Sequence, residues 1–166
     1  MSPRNSELSD DFRDCIDALN GHGVSFVLVG GYAVGYHGVV RATGDIDFLY
    51  QQTPENVERL CRALRDFGAP EHVIDPEFML SPDAVTQIGS VPLRIDLLAS
   101  ISGVSFAEVR AGAVAVELEG RRLLIIGLRE LRRNKQATGR SKDKQDLRLL
   151  PRAPRAGRPR RHDPET

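Results

Sequence analysis

The sequence predicts an α/β (α+β) fold in which a small mixed β-sheet is flanked by helices. Three observations carry that expectation. Apolar residues recur at three- and four-residue steps over 8–19 and again over 57–67, as helices that bury one face require. Between them lie two short runs, VSFVLV (24–29) and IDFLY (46–50), rich in β-branched and aromatic residues. Further along, residues 113–118 and 121–126 read as two strands joined by Glu119-Gly120, a two-residue loop with glycine in its second place.

In the first helix, Leu8, Phe12, Cys15, Ile16 and Leu19 form the buried stripe, and Gly21 and Gly23 close it. VSFVLV shows no polar alternation, so it reads as a buried central strand. A turn at Gly30-Gly31 leads into a short helix, and IDFLY supplies the second strand. Thr53 and Pro54 then make a cap and first-turn pair for a helix whose stripe is Val57, Leu60, Cys61, Leu64 and Phe67. Pro70, Pro76 and Pro82 divide 70–90 into short pieces, of which AVTQIG (84–89) fits an edge strand. VPLRIDLLAS (91–100) is a clearer strand. After the hairpin, LRELRRNKQATG (128–139) and KDKQDLRLL (142–150) are helical, with Gly139 breaking between them and Pro151 stopping the second.

The chain has 166 residues, which suits one domain over 1–150. Residues 151–166, PRAPRAGRPRRHDPET, carry four prolines and no apolar periodicity, and are expected to be disordered. Hydrophobic residues make up 40% and charged residues 28%, and no apolar run approaches the roughly 18 residues that span a bilayer. No membrane role is expected. The first residues contain no apolar signal region, so a cytoplasmic location is expected. Cys15 and Cys61 stand at apolar helical positions and read as buried free thiols; neither they nor the four histidines have metal-ligand spacing. Net charge is zero, but the last 16 residues hold five arginines against two acids, leaving the rest at −3. A mildly acidic body argues against an extended nucleic-acid face, though not against a local phosphate pocket.

The chemistry concentrates in GGYAVGYHGVVRATGDIDF (30–48). Alternate strand side chains share a face, so Asp45 and Asp47 point the same way and Ile46 the other. Two like charges so close are best tolerated around a cation, and an oxygen-rich, partly hydrated site suits Mg²⁺. A solvated strand end, with Asp45 capping a turn after Gly44, is the plainer account of the pair alone. Asp96 lies among Ile95, Leu97 and Leu98, where an unpaired carboxylate would cost several kcal/mol to bury. If its strand neighbours that of Asp45, three carboxylates converge. The competing account is an ion pair with an arginine; Arg94 is disfavoured for it on the ground that neighbouring strand residues face opposite ways. Gly30-Gly31, where a strand turns into a helix, exposes backbone N–H groups that a phosphate could approach, or is simply a tight turn. The glycine spacing fits neither the dinucleotide fingerprint nor the P-loop.

Together these residues resemble the nucleotidyltransferase superfamily, which shares the DNA polymerase β palm: a Gly-Gly or Gly-Ser turn, an Asp-x-Asp strand and a third carboxylate on a later strand. More narrowly, GGYAVGYHGVVRATGDID is similar to stand-alone bacterial nucleotidyltransferases related to the AbiEii toxin family. Lys135, Arg140, Asp143 and Asp146, in NKQATGRSKDKQD, match that group's K-x4-R-x2-D-x2-D segment, and the resemblance covers roughly 8–150. On residue grounds alone that segment is a charged helix with Asp143 and Asp146 on one side.

The resemblance implies transfer of a nucleoside monophosphate from a nucleoside triphosphate to an acceptor hydroxyl, with Mg²⁺ as cofactor and pyrophosphate as product. Asp45, Asp47 and Asp96 would hold the metal, and Gly30 and Gly31 would cradle the phosphates. Lys135 and Arg140 would supply positive charge to the triphosphate, and Asp146 would orient the lysine. Arg41 would contact a phosphate or an acidic partner, and Thr43 would hold the turn. The implied acceptors are transfer-RNA ends, proteins or small hydroxylated molecules, and a toxin–antitoxin partner protein is implied with them. The competing class is a nucleotidyltransferase-fold antitoxin or binding module with little or no turnover.

Overall fold

The computed structural model describes residues 8–40, 44–90 and 92–153. Seven α-helices and a six-stranded sheet lie within them: α1 (Asp10–Gly21), β1 (Phe26–Val29), α2 (Gly30–Tyr36), β2 (Asp45–Tyr50), α3 (Pro54–Phe67), α4 (Pro76–Met79), β3 (Val85–Ser90), β4 (Leu93–Leu98), α5 (Phe106–Gly112), β5 (Val114–Leu118), β6 (Arg121–Ile125), α6 (Leu128–Thr138) and α7 (Ser141–Leu149). The sheet runs in the order β3-β4-β2-β1-β6-β5. It is mixed: β2 pairs with β4 and β1 with β6 in parallel, and the other neighbours are antiparallel. The expected α/β sheet flanked by helices is therefore what the chain forms.

Local chemistry explains most boundaries. Leu8 is buried but precedes α1, because the Ser9 side chain accepts the Phe12 N–H and starts the helix at Asp10. All four β1 residues are buried, as a central strand lacking polar alternation demands. Thr53 caps α3, Pro54 occupies its first turn, and Gly68 ends it in the left-handed conformation at φ +92°. The β5–β6 hairpin turns through Glu119 and Gly120, both with positive φ, the geometry that two-residue hairpin loops favour.

Helix α5 is not among the elements expected from sequence, and Asn56 is a buried polar residue within α3 that sequence alone does not single out. A Ser105/Glu108 capping box starts the short helix α5. Asn56, 1% exposed, joins the start of α3 to the sheet: it accepts from the Ser25 N–H and donates to the Ser25 and Gln51 carbonyls. All its polar groups are thus used, as burial requires. Cys15 and Cys61 are buried free thiols in the core. Among the described residues no helix is long and apolar enough to cross a membrane.

Candidate active site

Pairing β2 beside β4 decides where the carboxylates go. The parallel register sets Asp47 opposite Asp96 and Asp45 opposite Arg94. Cross-strand neighbours share a face, so Gln87, Asp96, Asp47 and Val29 form one row across β3, β4, β2 and β1. Gly30 follows Val29 and so comes up against Asp47. A Cβ on Gly30 would lie 2.1 Å from Asp47 Oδ2, and its φ of +70° is itself one that favours glycine. Gly31 is buried in the first turn of α2, which no side chain caps. The glycine pair and the two aspartates, separated in sequence by a short helix, thus meet at one end of β1 and β2.

Arg94 lies among the acids. Its Nε donates to Asp96 Oδ1 at 2.9 Å, and its Nη2 donates to Asp96 Oδ2 at 3.2 Å and to Asp45 Oδ2 at 3.1 Å. Contrary to the expectation from sequence, Arg94 pairs with Asp96, because the two are two residues apart, not adjacent, and the strand period puts them on the same face. Arg94 thus bridges Asp45 and Asp96, and Asp47 stands beside them. Burial pushes the Asp47 carboxyl up to about 7, and Asp96, through its charge and a hydrogen bond, and Asp45 reinforce the shift against Arg94.

These are hard oxygen donors, and their chemistry fits a divalent cation such as Mg²⁺. Such an ion keeps several waters and needs only one or two protein carboxylates beside substrate phosphates. Among the described residues, no three or more His, Cys, Asp or Glu side chains are grouped to hold a metal by themselves. The Arg94 guanidinium takes Asp45 and Asp96 oxygens instead.

The C-terminal residues form a second cluster. Lys135, only 6% exposed, places Nζ 3.0 Å from Asp143 and 3.2 Å from Asp146, both buried. Thr138 Oγ1 and Arg140 Nε donate to the other Asp143 oxygen at 2.6 and 2.8 Å. Burial alone would raise the Asp143 carboxyl, but the hydrogen bonds from Thr138, Arg140 and Lys135 outweigh it and hold the group well below the usual carboxylate range. Asp146 thus pairs with Lys135. The lysine is not an exposed cation awaiting a triphosphate, whereas the Arg140 side chain is 74% exposed. Arg41 and Thr43 lie outside the described residues.

Sequence reasoning missed Gln87, which is exposed and directly across from Asp96. Alternation in AVTQIG separates Gln87 from buried Thr86 and Ile88, but only the pairing with β4 says which face it joins. A cavity of about 540 Å³, lined by Asn20, Ser25, Phe26, Arg110 and Arg122 among others, opens at the other end of β1, roughly 10 Å from Val29 at strand rise. It does not include the carboxylates.

No protein-family profile matches this sequence, and no curated protein matches it. Solved structures do. The chain is similar to TM1012 of Thermotoga maritima, provisionally named a nucleotidyltransferase, with a TM-score of 0.55 and 17% identity over 83% of this chain and 88% of that one. It is also similar to the lincosamide antibiotic adenylyltransferase LnuA, solved with lincomycin bound, with a TM-score of 0.56 and 12% identity over 85% of this chain and 94% of that one. At these identities the likeness is one of fold, and the fold is that of nucleotidyltransferases.

Proposed function

We propose that this chain transfers a nucleoside monophosphate from a nucleoside triphosphate to an acceptor hydroxyl and releases pyrophosphate. The observation that supports it best is the register of Asp47 with Asp96 beside Gly30, which gathers anionic oxygens and an uncapped helix start at one sheet end. In this reading Asp45, Asp47 and Asp96 hold Mg²⁺, which when bound would neutralise charge on the phosphates and lower the acceptor hydroxyl's pKa. Gly30 and Gly31, which start α2 beside Asp47, would lie next to the phosphates. Arg140, exposed beside Asp143, offers a guanidinium to the triphosphate. Lys135 positions the α6–α7 segment through Asp143 and Asp146. Asp96 stands nearest to a role as proton acceptor for the attacking hydroxyl, although a metal-lowered hydroxyl pKa makes a dedicated base optional.

The fold shared with an antibiotic adenylyltransferase supports a small hydroxylated molecule as the first acceptor class to try. The toxin–antitoxin role that the AbiEii resemblance implies calls instead for a transfer-RNA or protein acceptor. Incubating the protein with each α-labelled nucleoside triphosphate, Mg²⁺ and cell extract should label one of these three classes, and Asp47→Asn should abolish the label. No labelling with any nucleotide would sink the proposal. A second reading, a binding module with little turnover, is favoured by Arg94 already filling the carboxylate cluster. It requires nucleotide binding without transfer in the same assay.

A further inference from the structure

Arg94 and Lys135 each bridge two carboxylates, yet their surroundings give them different fates. The Lys135 side chain is 7% exposed and clasped by acids that are themselves buried, so its ion pairs belong to the packing. The Arg94 side chain is 29% exposed, at the edge of a cluster whose Asp45 side chain is 39% exposed, so it has solvent to move into. A guanidinium does not lose its proton, and it therefore gives up such a site only by moving. The oxygens it holds, both of Asp96 and one of Asp45, are those a divalent cation would need. Two cations do not share these lone pairs at such range without strong repulsion.

We propose that Arg94 is a resident counter-cation of the candidate active site, occupying Asp45 and Asp96 until a divalent metal ion displaces it. The inference rests on the nucleotidyl-transfer reading, which supplies the need for the metal. It assigns Arg94 a positioning role: the residue holds the Asp45 and Asp96 carboxylates in place before the ion arrives, and it weakens the binding of metal alone. An opposite charge at this range changes a carboxylate's affinity for a proton by about 10- to 1,000-fold, and its effect on a dication should be no smaller.

The test is Mn²⁺ binding to the full chain, read from the electron paramagnetic resonance signal of the free ion. Arg94→Gln should bind Mn²⁺ at least about tenfold tighter than the wild type. Arg94→Lys keeps the charge but not the two-pronged contact, and should fall between them. Adding Asp47→Asn to Arg94→Gln should remove the gain, which locates the ion at this cluster. Equal or weaker binding by Arg94→Gln overturns the inference. Should that variant fail to fold, Arg94→Lys decides alone, because affinity unchanged from wild type contradicts displacement. The function is judged separately by label transfer: transfer with unchanged Mn²⁺ affinity sinks the Arg94 role alone, and tighter Mn²⁺ binding without transfer sinks the function alone.

Discussion

A methyl group on Gly30 would overlap the Asp47 carboxylate, so these two positions depend on each other although a helix separates them in sequence. Gly30→Ala would impose both a left-handed backbone strain of about 1–3 kcal/mol and a displaced carboxylate. The expected outcome is a modest loss of stability in urea denaturation with a far larger loss of label transfer, because Asp47 must move to make room. Wild-type transfer by Gly30→Ala would show that the contact has no bearing on the chemistry. Asp96 is the other residue that depends on its surroundings. It is 7% exposed and would be costly to bury unpaired; Arg94 supplies the compensation.

At the scale of elements, α6 and α7 are held by charge as much as by apolar packing: Leu131 and Lys135 are the buried residues of α6, and Asp143 and Asp146 those of α7. Lys135→Met would leave both carboxylates buried without their shared ammonium, a type of loss that costs about 3–5 kcal/mol. Arg140 and Thr138 still hold Asp143, so the lower end is expected. Thermal denaturation should show the melting temperature fall. If stability is unchanged while transfer disappears, Lys135 acts on substrate and its role in packing is refuted. Strands and long helices were legible because period and caps agree in them, as in VSFVLV and in Thr53-Pro54 before α3. Helix α5 was not, since its seven residues carry little periodicity, although Ser105 and Glu108 form a readable capping signal. The identity of the three acids was visible in the sequence. Their register was not, because parallel pairing of β2 with β4 joins segments separated by helices α3 and α4 and by strand β3. Arg94 was visible too, but counting it as adjacent to Asp96 hid a same-face contact that its spacing of two requires.

For the whole molecule the two acid clusters pull stability in opposite directions with pH. Asp143 has a depressed folded pKa. Its contribution is complete above the unfolded value near 4 and is lost as pH falls below that toward the folded value. Asp47 is raised from 3.8 to about 7 in the folded protein, so between those values the folded chain keeps a proton that the unfolded chain has released. Stability therefore declines as pH rises through that window, with a slope of at most about 1.4 kcal/mol per pH unit from this group. The metal-free protein is expected to be most stable in weakly acidic solution, near the bottom of the Asp47 window, rather than at neutrality. Melting temperatures measured from pH 3 to 8 in the presence of a chelator would check this. Asp47→Asn should flatten the decline between pH 5 and 7, and Asp143→Asn should flatten the loss below pH 4 while lowering stability throughout. A wild-type melting temperature that rises from pH 5 to 7, with Asp47→Asn following the same curve, would mean that Asp47 is already ionised and compensated in the folded protein.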